Sequence, residues 1–177
     1  MNLLFRLLWM MMTAHRRTRC AMMEETHLTF RVMPTDLDVN MHLTNSRYFS
    51  FMDLSRVDHM IRNGAWKDIR ANKLKPVLRS GSIRFRRAVP PFKKVDVTTR
   101  VVGLDEKWIY LEHKLIAGET IYSVAILKAA FLDETGRIPV DRLLTMFRYE
   151  GELPPMTEAL ALIRDADDAV MEASAAS

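Results

Sequence analysis

Between Thr44 and Asn63 lies a helix-length segment that is apolar over more than half of its circumference, through Tyr48, Phe49, Phe51, Met52, Leu54, Val57, Met60 and Ile61. Thr44 or Asn45 supplies an N-cap, and Gly64 stands at the position where helices end in a left-handed residue. A helix with so wide an apolar surface must be enclosed on several sides. Whatever else the chain builds has to wrap around it.

The material for the wrapping follows directly. A shorter helical piece over Trp66 to Lys73 ends before Pro76, and the period then changes to two. Ile83 and Phe85 alternate with Arg84 and Arg86, and Val95, Val97, Thr99 and Val101 with Asp96, Thr98 and Arg100. Ile109, Leu111, His113 and Leu115 alternate with Trp108, Tyr110, Glu112 and Lys114. The nearly continuous apolar run from Ile121 to Leu132 reads as a strand covered on both faces. Turn residues separate these stretches, at Pro90-Pro91, Gly103 to Glu106, Ala117 to Glu119 and Asp133 to Gly136. One further half-buried strand, Leu28 to Met33, precedes the helix. One strand, one enclosed helix and four strands on hairpin-sized connections predict an α+β domain with a curved antiparallel sheet of about five strands.

That domain is expected over residues 23–150, within a size range that supports a single core. Residues 1–22 form an apolar and then basic segment, MNLLFRLLWMMM followed by His15, Arg16, Arg17 and Arg19. It lacks the basic start and cleavage site of a signal peptide, and it is too short to span a bilayer. It suits a helix lying on a membrane surface through residues 1–19, or one packing on the domain. Residues 151–177 are acidic and read as a loosely attached helix or disordered chain. A single cysteine, Cys20, excludes a disulfide framework within the chain and suits a cytoplasmic protein. The stretch from Arg79 to Lys94 carries Arg79, Arg84, Arg86, Arg87, Lys93 and Lys94 with no acid, which suits either a phosphate-bearing ligand or a solvated strand face. No metal cluster or phosphate-cradling glycine loop is legible, and His113, on an apolar face, reads as a hydrogen-bonded core histidine.

The densest polar cluster precedes the helix: Asp36, Asp38, Asn40, His42, Thr44 and Asn45. Backbone N–H groups in a first helical turn are unpaired and carry positive potential, so a developing oxyanion is stabilised there. A carboxylate just upstream can act as base or nucleophile on the same atom. Asn40 and His42 could orient water or Asp38. The same residue types also serve simply to shape a turn and cap the helix.

The run Pro34-Thr35-Asp36-Leu37-Asp38-Val39-Asn40-Met41-His42-Leu43-Thr44-Asn45-Ser46-Arg47-Tyr48 resembles the signature of hotdog-fold thioesterases of the 4-hydroxybenzoyl-CoA thioesterase-like group. Ile83 to Arg87 and Glu106-Lys107-Trp108 fit the same pattern, and the resemblance extends over roughly Leu28 to Met146. It implies a hotdog fold, a homodimer or dimer of dimers with active sites at the subunit interface, and hydrolysis of a fatty acyl-CoA without cofactor, metal or nucleic acid. In that group an Asp ten residues before a Tyr is nucleophile or general base, which carries to Asp38 ahead of Tyr48. Asn40 and His42 join it as catalytic residues. The amides from Leu43 to Asn45 would hold the thioester oxygen, Asn45 and Tyr48 would contact substrate, and Arg84, Arg86 and Arg87 would meet the CoA phosphates. The plant acyl-carrier-protein thioesterases place an acid or cysteine shortly after a Tyr-Arg-Arg stretch; here Ala88 and Val89 follow Arg87. That departure favours Asp38 as the acting group. It also keeps in view a non-catalytic acyl-binding protein; an enoyl-CoA hydratase, a sister activity on the same fold, is a weaker alternative because no proline stands between Asp38 and His42.

Overall fold

The computed structural model describes residues 3–175; Met1 and Asn2 of the N-terminal segment and the last two residues of the tail lie outside the described residues. The elements run α1 (Leu3–Ala14), β1 (Thr26–Arg31), a 3-10 turn (Pro34–Asp36), α2 (Asn45–Arg62), α3 (Ala65–Ala71), β2 (Lys75–Phe85), β3 (Lys94–Leu104), β4 (Ile109–Ala117), β5 (Thr120–Asp133), β6 (Gly136–Arg137), α4 (Val140–Met146) and α5 (Glu158–Ala175). Five long strands pair antiparallel in the order β1-β3-β4-β5-β2, and the two-residue β6 adds to β5.

The apolar segment forms α2, with Thr44 as its N-cap and Gly64 at φ +88° just past its end. Its buried face, Tyr48, Phe51, Met52, Leu54, Ser55, Asp58 and His59, packs on β1 and β3. Phe51 stacks on Phe30 at 4.5 Å between ring centroids. α1 closes a further side of α2, burying Arg6, Met10 and Ala14. A second cluster, Ala65, Ile69, Leu74, Phe131, Ile138 and Leu143, fills the space under α3 and α4.

Polar groups inside this core are tied together. The His113 ring donates from Nδ1 to the Thr98 carbonyl at 3.0 Å, with Thr99 Oγ1 at 3.1 Å; Thr99 in turn meets Ser55 Oγ at 2.7 Å. Ser55 thus bridges α2 to the sheet. Burial, aided by nearby Arg56 and opposed by the Thr98 hydrogen bond, lowers the His113 pKa to about 3, so the ring is neutral.

One element differs from the pattern-based reading. β2 begins at Lys75 instead of Ile83. Before Ile83 it holds Pro76, Ser80, Gly81 and Ser82, and it is an edge strand, where proline is tolerated and strict alternation is not required. Gly81 has a packing role. A Cβ there would come within 2.6 Å of Leu127 Cδ2 and 3.3 Å of the Phe49 ring, so glycine lets α2 pass close over β2. Of the two outcomes open for the tail, a helix forms. α5 buries Leu160 beside Gly103 and sets Asp168 at 3.1 Å from Lys128 Nζ.

Candidate active site at the start of α2

From β1 the chain enters the 3-10 turn, then folds back on itself between Leu37 and Leu43, which form an isolated antiparallel bridge. Asp38 organises the tip. Its N–H donates to the His42 carbonyl at 2.8 Å, and its Oδ1 accepts the N–H groups of Asn40 (2.9 Å) and His42 (3.2 Å). Met41, at φ +57°, makes the reversal possible. The Oδ2 oxygen of Asp38 has no hydrogen-bond partner among the described residues and stands on an exposed residue. One oxygen is fixed by the turn and the other is open to solvent.

Asp36, two residues earlier, is wholly different. It is fully buried, with Oδ2 at 2.5 Å from Arg6 Nη2 and Oδ1 at 3.3 Å from Arg47 Nε. Oδ2 also accepts the Met33 N–H, and the Asp36 carbonyl accepts the Thr44 N–H. Arg6 lies over the Phe51 ring at 4.8 Å. Asp36 therefore pins the loop to α1 and α2.

The expected oxyanion donors need correction. The Leu43 N–H is committed to the Val89 carbonyl (3.0 Å) and the Thr44 N–H to Asp36 (2.9 Å), so neither can receive a ligand oxygen. The Arg47 N–H donates to Thr44. The open amides of the first turn are those of Asn45 and Ser46. The side chains of Asn40 and His42 are exposed and make no hydrogen bond to the Asp38 carboxylate, which is held by their backbone amides instead. Asn45 is exposed as the first residue of α2.

Tyr48, one turn into α2, is 2% exposed and packs edge-on against Phe85 at the end of β2, with centroids 4.9 Å apart. Burial first, then the negative charge of Asp38 and then Tyr122, push its pKa up to about 12. The hydroxyl stays protonated and able to donate throughout the physiological range. Tyr122, at the start of β5, carried no signal in the sequence. Its carbonyl accepts the N–H groups of Arg86 (2.8 Å) and Arg87 (3.2 Å). The side chains of Arg84, Arg86 and Arg87 are exposed, and Arg84 donates to Ser82 Oγ at 2.6 Å. Since Val89 is bonded to Leu43, the basic stretch leads straight from Phe85 to the Asp38 loop. The structure thus gathers Asp38, Asn45, Tyr48, Phe85 and the backbone of Arg86 and Arg87 at one end of the sheet.

At the other end, an apolar cavity of about 290 Å³ runs along the second half of α2. Val57, Met60, Leu111, Ala129, Phe131 and Leu143 are among the residues that line it, and Pro76 to Leu78 of β2 flank it. Its volume is at the lower end of the range of small-molecule sites, ~300–1,000 Å³.

The fold is that of the hotdog thioesterases, a curved antiparallel sheet packed with helices, and the chain belongs to the Thioesterase-like superfamily, whose family model matches residues 32–163. Among solved structures, the probable thioesterase YbaW from Escherichia coli aligns with a TM-score of 0.64 at 19% identity, covering 68% of this chain and 94% of that one. A gentisyl-coenzyme A thioesterase aligns with a TM-score of 0.61 at 18% identity, covering 69% and 99%. Among sequence relatives, protein THEM6 of Xenopus laevis is 30% identical over 54% of this chain and 46% of its own length. Thioesterase lcsJ of Purpureocillium lilacinum is 27% identical over 75% of this chain and 50% of its own. The chain spans about half the length of the curated relatives it matches.

Proposed function

We propose that this protein hydrolyses acyl-CoA thioesters to free acid and CoA, with Asp38 as general base or nucleophile. The observation that carries the reading is the Asp38 carboxylate itself. One oxygen is locked by two backbone amides, the other is unpaired, and the open N–H groups of Asn45 and Ser46 lie at the start of the adjoining helix. As a base, Asp38 Oδ2 takes a proton from water, the hydroxide oxygen bonds to the thioester carbon, and the carbonyl oxygen gathers negative charge at the Asn45 and Ser46 amides. Collapse of that intermediate breaks the C–S bond, and the CoA thiolate leaves and takes a proton from the conjugate acid. The arginine stretch Arg84, Arg86 and Arg87 offers guanidinium groups to the CoA phosphates.

We further propose a homodimer that joins the free edges of β2. Leu78 and Phe85 of this edge strand are 42% and 46% exposed, an uncommon display of large apolar side chains on an unpaired strand. Two-fold antiparallel pairing near the middle of β2 would set the cavity flank of one copy, Pro76 to Leu78, beside the Phe85 and Asp38 end of the other. Within a single chain the two ends of β2 are roughly 33 Å apart at the usual strand rise. In the dimer the cavity of one copy would receive the acyl chain whose thioester meets Asp38 of the partner subunit. A cavity of this size suits a medium-length chain.

The test is free-thiol release from acyl-CoAs of graded length, with wild type against Asp38→Asn. Release that is lost in the variant supports the assignment. A folded dimer that binds acyl-CoA but releases no thiol would instead be a non-catalytic acyl-binding protein, the reading favoured by the absence of an acid or cysteine just after Arg87.

A further inference from the structure

α1 presents an arrangement opposite to that of an ordinary surface helix. At 100° per residue, Leu3, Arg6, Leu7, Met10 and Ala14 fall on one face, and Leu4, Phe5, Leu8, Trp9, Met11 and Met12 on the other. The first face packs against the core. The second is in solvent, with Leu4 57%, Phe5 63%, Leu8 50%, Trp9 64% and Met12 60% exposed. The single charged residue of the helix, Arg6, is the one turned inward. A helix bolted in place by a buried ion pair thus displays an uninterrupted apolar surface.

What covers that surface is indicated by its surroundings. His15, Arg16 and Arg19 follow the helix directly and are exposed, while Arg17 is engaged with Asp58. No acidic residue occurs before Glu24. A second copy docked with its α1 parallel would bring these cationic groups together, and one docked antiparallel would leave them without a counter-charge. An anionic bilayer surface neutralises them and receives Phe5, Leu8 and Trp9 at the depth where aromatic and aliphatic side chains of interfacial helices settle. The 12 described residues of the helix span about 18 Å at helical rise, against ~30 Å of hydrocarbon, which is too short to cross a bilayer.

We propose that α1 is a membrane-docking element that seats the protein on an anionic bilayer surface through Phe5, Leu8, Trp9 and Met12, with Arg16 and Arg19 on the headgroups. Its anchor reaches the candidate active site. Arg6 holds Asp36, and Asp36 holds both Met33 and Thr44 on either side of Asp38. The docked face is the one opposite Arg6, so the Asp38 loop lies behind α1 and is tied to it through Arg6 and Asp36. The docking itself does not depend on the thioesterase reading.

Co-sedimentation with vesicles tests it, comparing phosphatidylcholine alone with phosphatidylcholine mixed with phosphatidylserine. The full chain should sediment with the mixed vesicles and far less with the neutral ones. Phe5→Ser/Trp9→Ser should abolish binding. Arg16→Gln/Arg19→Gln should weaken it on the order of 30-fold, from the usual contribution of two arginines near an anionic surface. All these side chains are exposed, so circular dichroism and thiol release from a short-chain, water-soluble acyl-CoA should be unchanged. Asp38→Asn should sediment like wild type, which separates this proposal from the catalytic one. Failure to sediment with either vesicle overturns it, as does sedimentation insensitive to Phe5 and Trp9. A change of oligomeric mass in the Phe5→Ser/Trp9→Ser variant without vesicle binding would assign the face to a second copy, and overturns it as well.

Discussion

Asp36 and Asp38 are separated by one leucine, and residue type alone gives them the same options. Their surroundings divide the work. Asp36 is sealed between Arg6 and Arg47, while Asp38 is in the open with one oxygen held by the turn. The expected outcomes of the same substitution are therefore opposite. Asp38→Asn should lower kcat about 10²–10⁴-fold, the range for a positioned base, and leave the melting temperature nearly unchanged. Asp36→Asn should cost about 3–5 kcal/mol of stability, because it leaves the buried Arg6 guanidinium without its carboxylate. Thermal melts beside thiol-release assays distinguish the two, and a stable but inactive Asp36→Asn would contradict the division. His113 makes a third residue-scale prediction. Its folded pKa is held near 3, below the ordinary value of 6.5, so the native state resists a proton that the unfolded chain accepts. Stability is then full above pH ~6.5 and falls as pH drops from there towards 3, by about 1.4 kcal/mol per unit from this group. His59, lowered in the same direction by burial, adds to the slope. Denaturant titrations at pH 7, 6 and 5 should show this limb, and it should be shallower in His113→Asn.

At the scale of elements, α2 controls both the core and the site, and β2 is shaped to let it pass. Gly81→Val should cost about 1–3 kcal/mol by driving a side chain into Leu127 and Phe49, measurable as a lower denaturation midpoint without a change in the family of folds accessible to the chain. These two elements also show how far the sequence can be read. α2 was legible because its apolar residues repeat at helical spacing between a cap and a glycine, and β3 to β5 because alternation and turn residues agree. The part of β2 before Ile83 was not, since Pro76, Ser80, Gly81 and Ser82 leave no apolar alternation. At the site, the turn at Asp38 and its distance from Tyr48 could be read along the chain. The commitment of the Leu43 and Thr44 amides could not, because their acceptors, Val89 and Asp36, depend on how distant segments pack. Tyr122 and the Arg6–Asp36 pair were invisible for the same reason.

At the scale of the whole molecule, the separation of Asp38 from the apolar cavity is the feature that most needs explaining, and the two-fold dimer proposed through β2 would explain it by letting each site draw on both copies. Such sharing makes a prediction that no single-chain site makes. Ala129 lines the cavity from β5, facing Ile109 across the β4–β5 pairing, and Ala129→Phe should fill the space without touching the Asp38 loop. Asp38→Asn homodimers then have open cavities and no base; Ala129→Phe homodimers have bases and no room for the chain. Both should be nearly inactive on medium-chain acyl-CoA. When the two variants are unfolded together and refolded, half of the dimers are mixed, and each mixed dimer contains one site with a normal Asp38 and a normal cavity. Thiol release should rise to about one quarter of the wild-type rate, as expected for random two-fold association. Were both parts of the site in one chain, every mixed dimer would lack a complete site, and the refolded mixture would stay as inactive as its components.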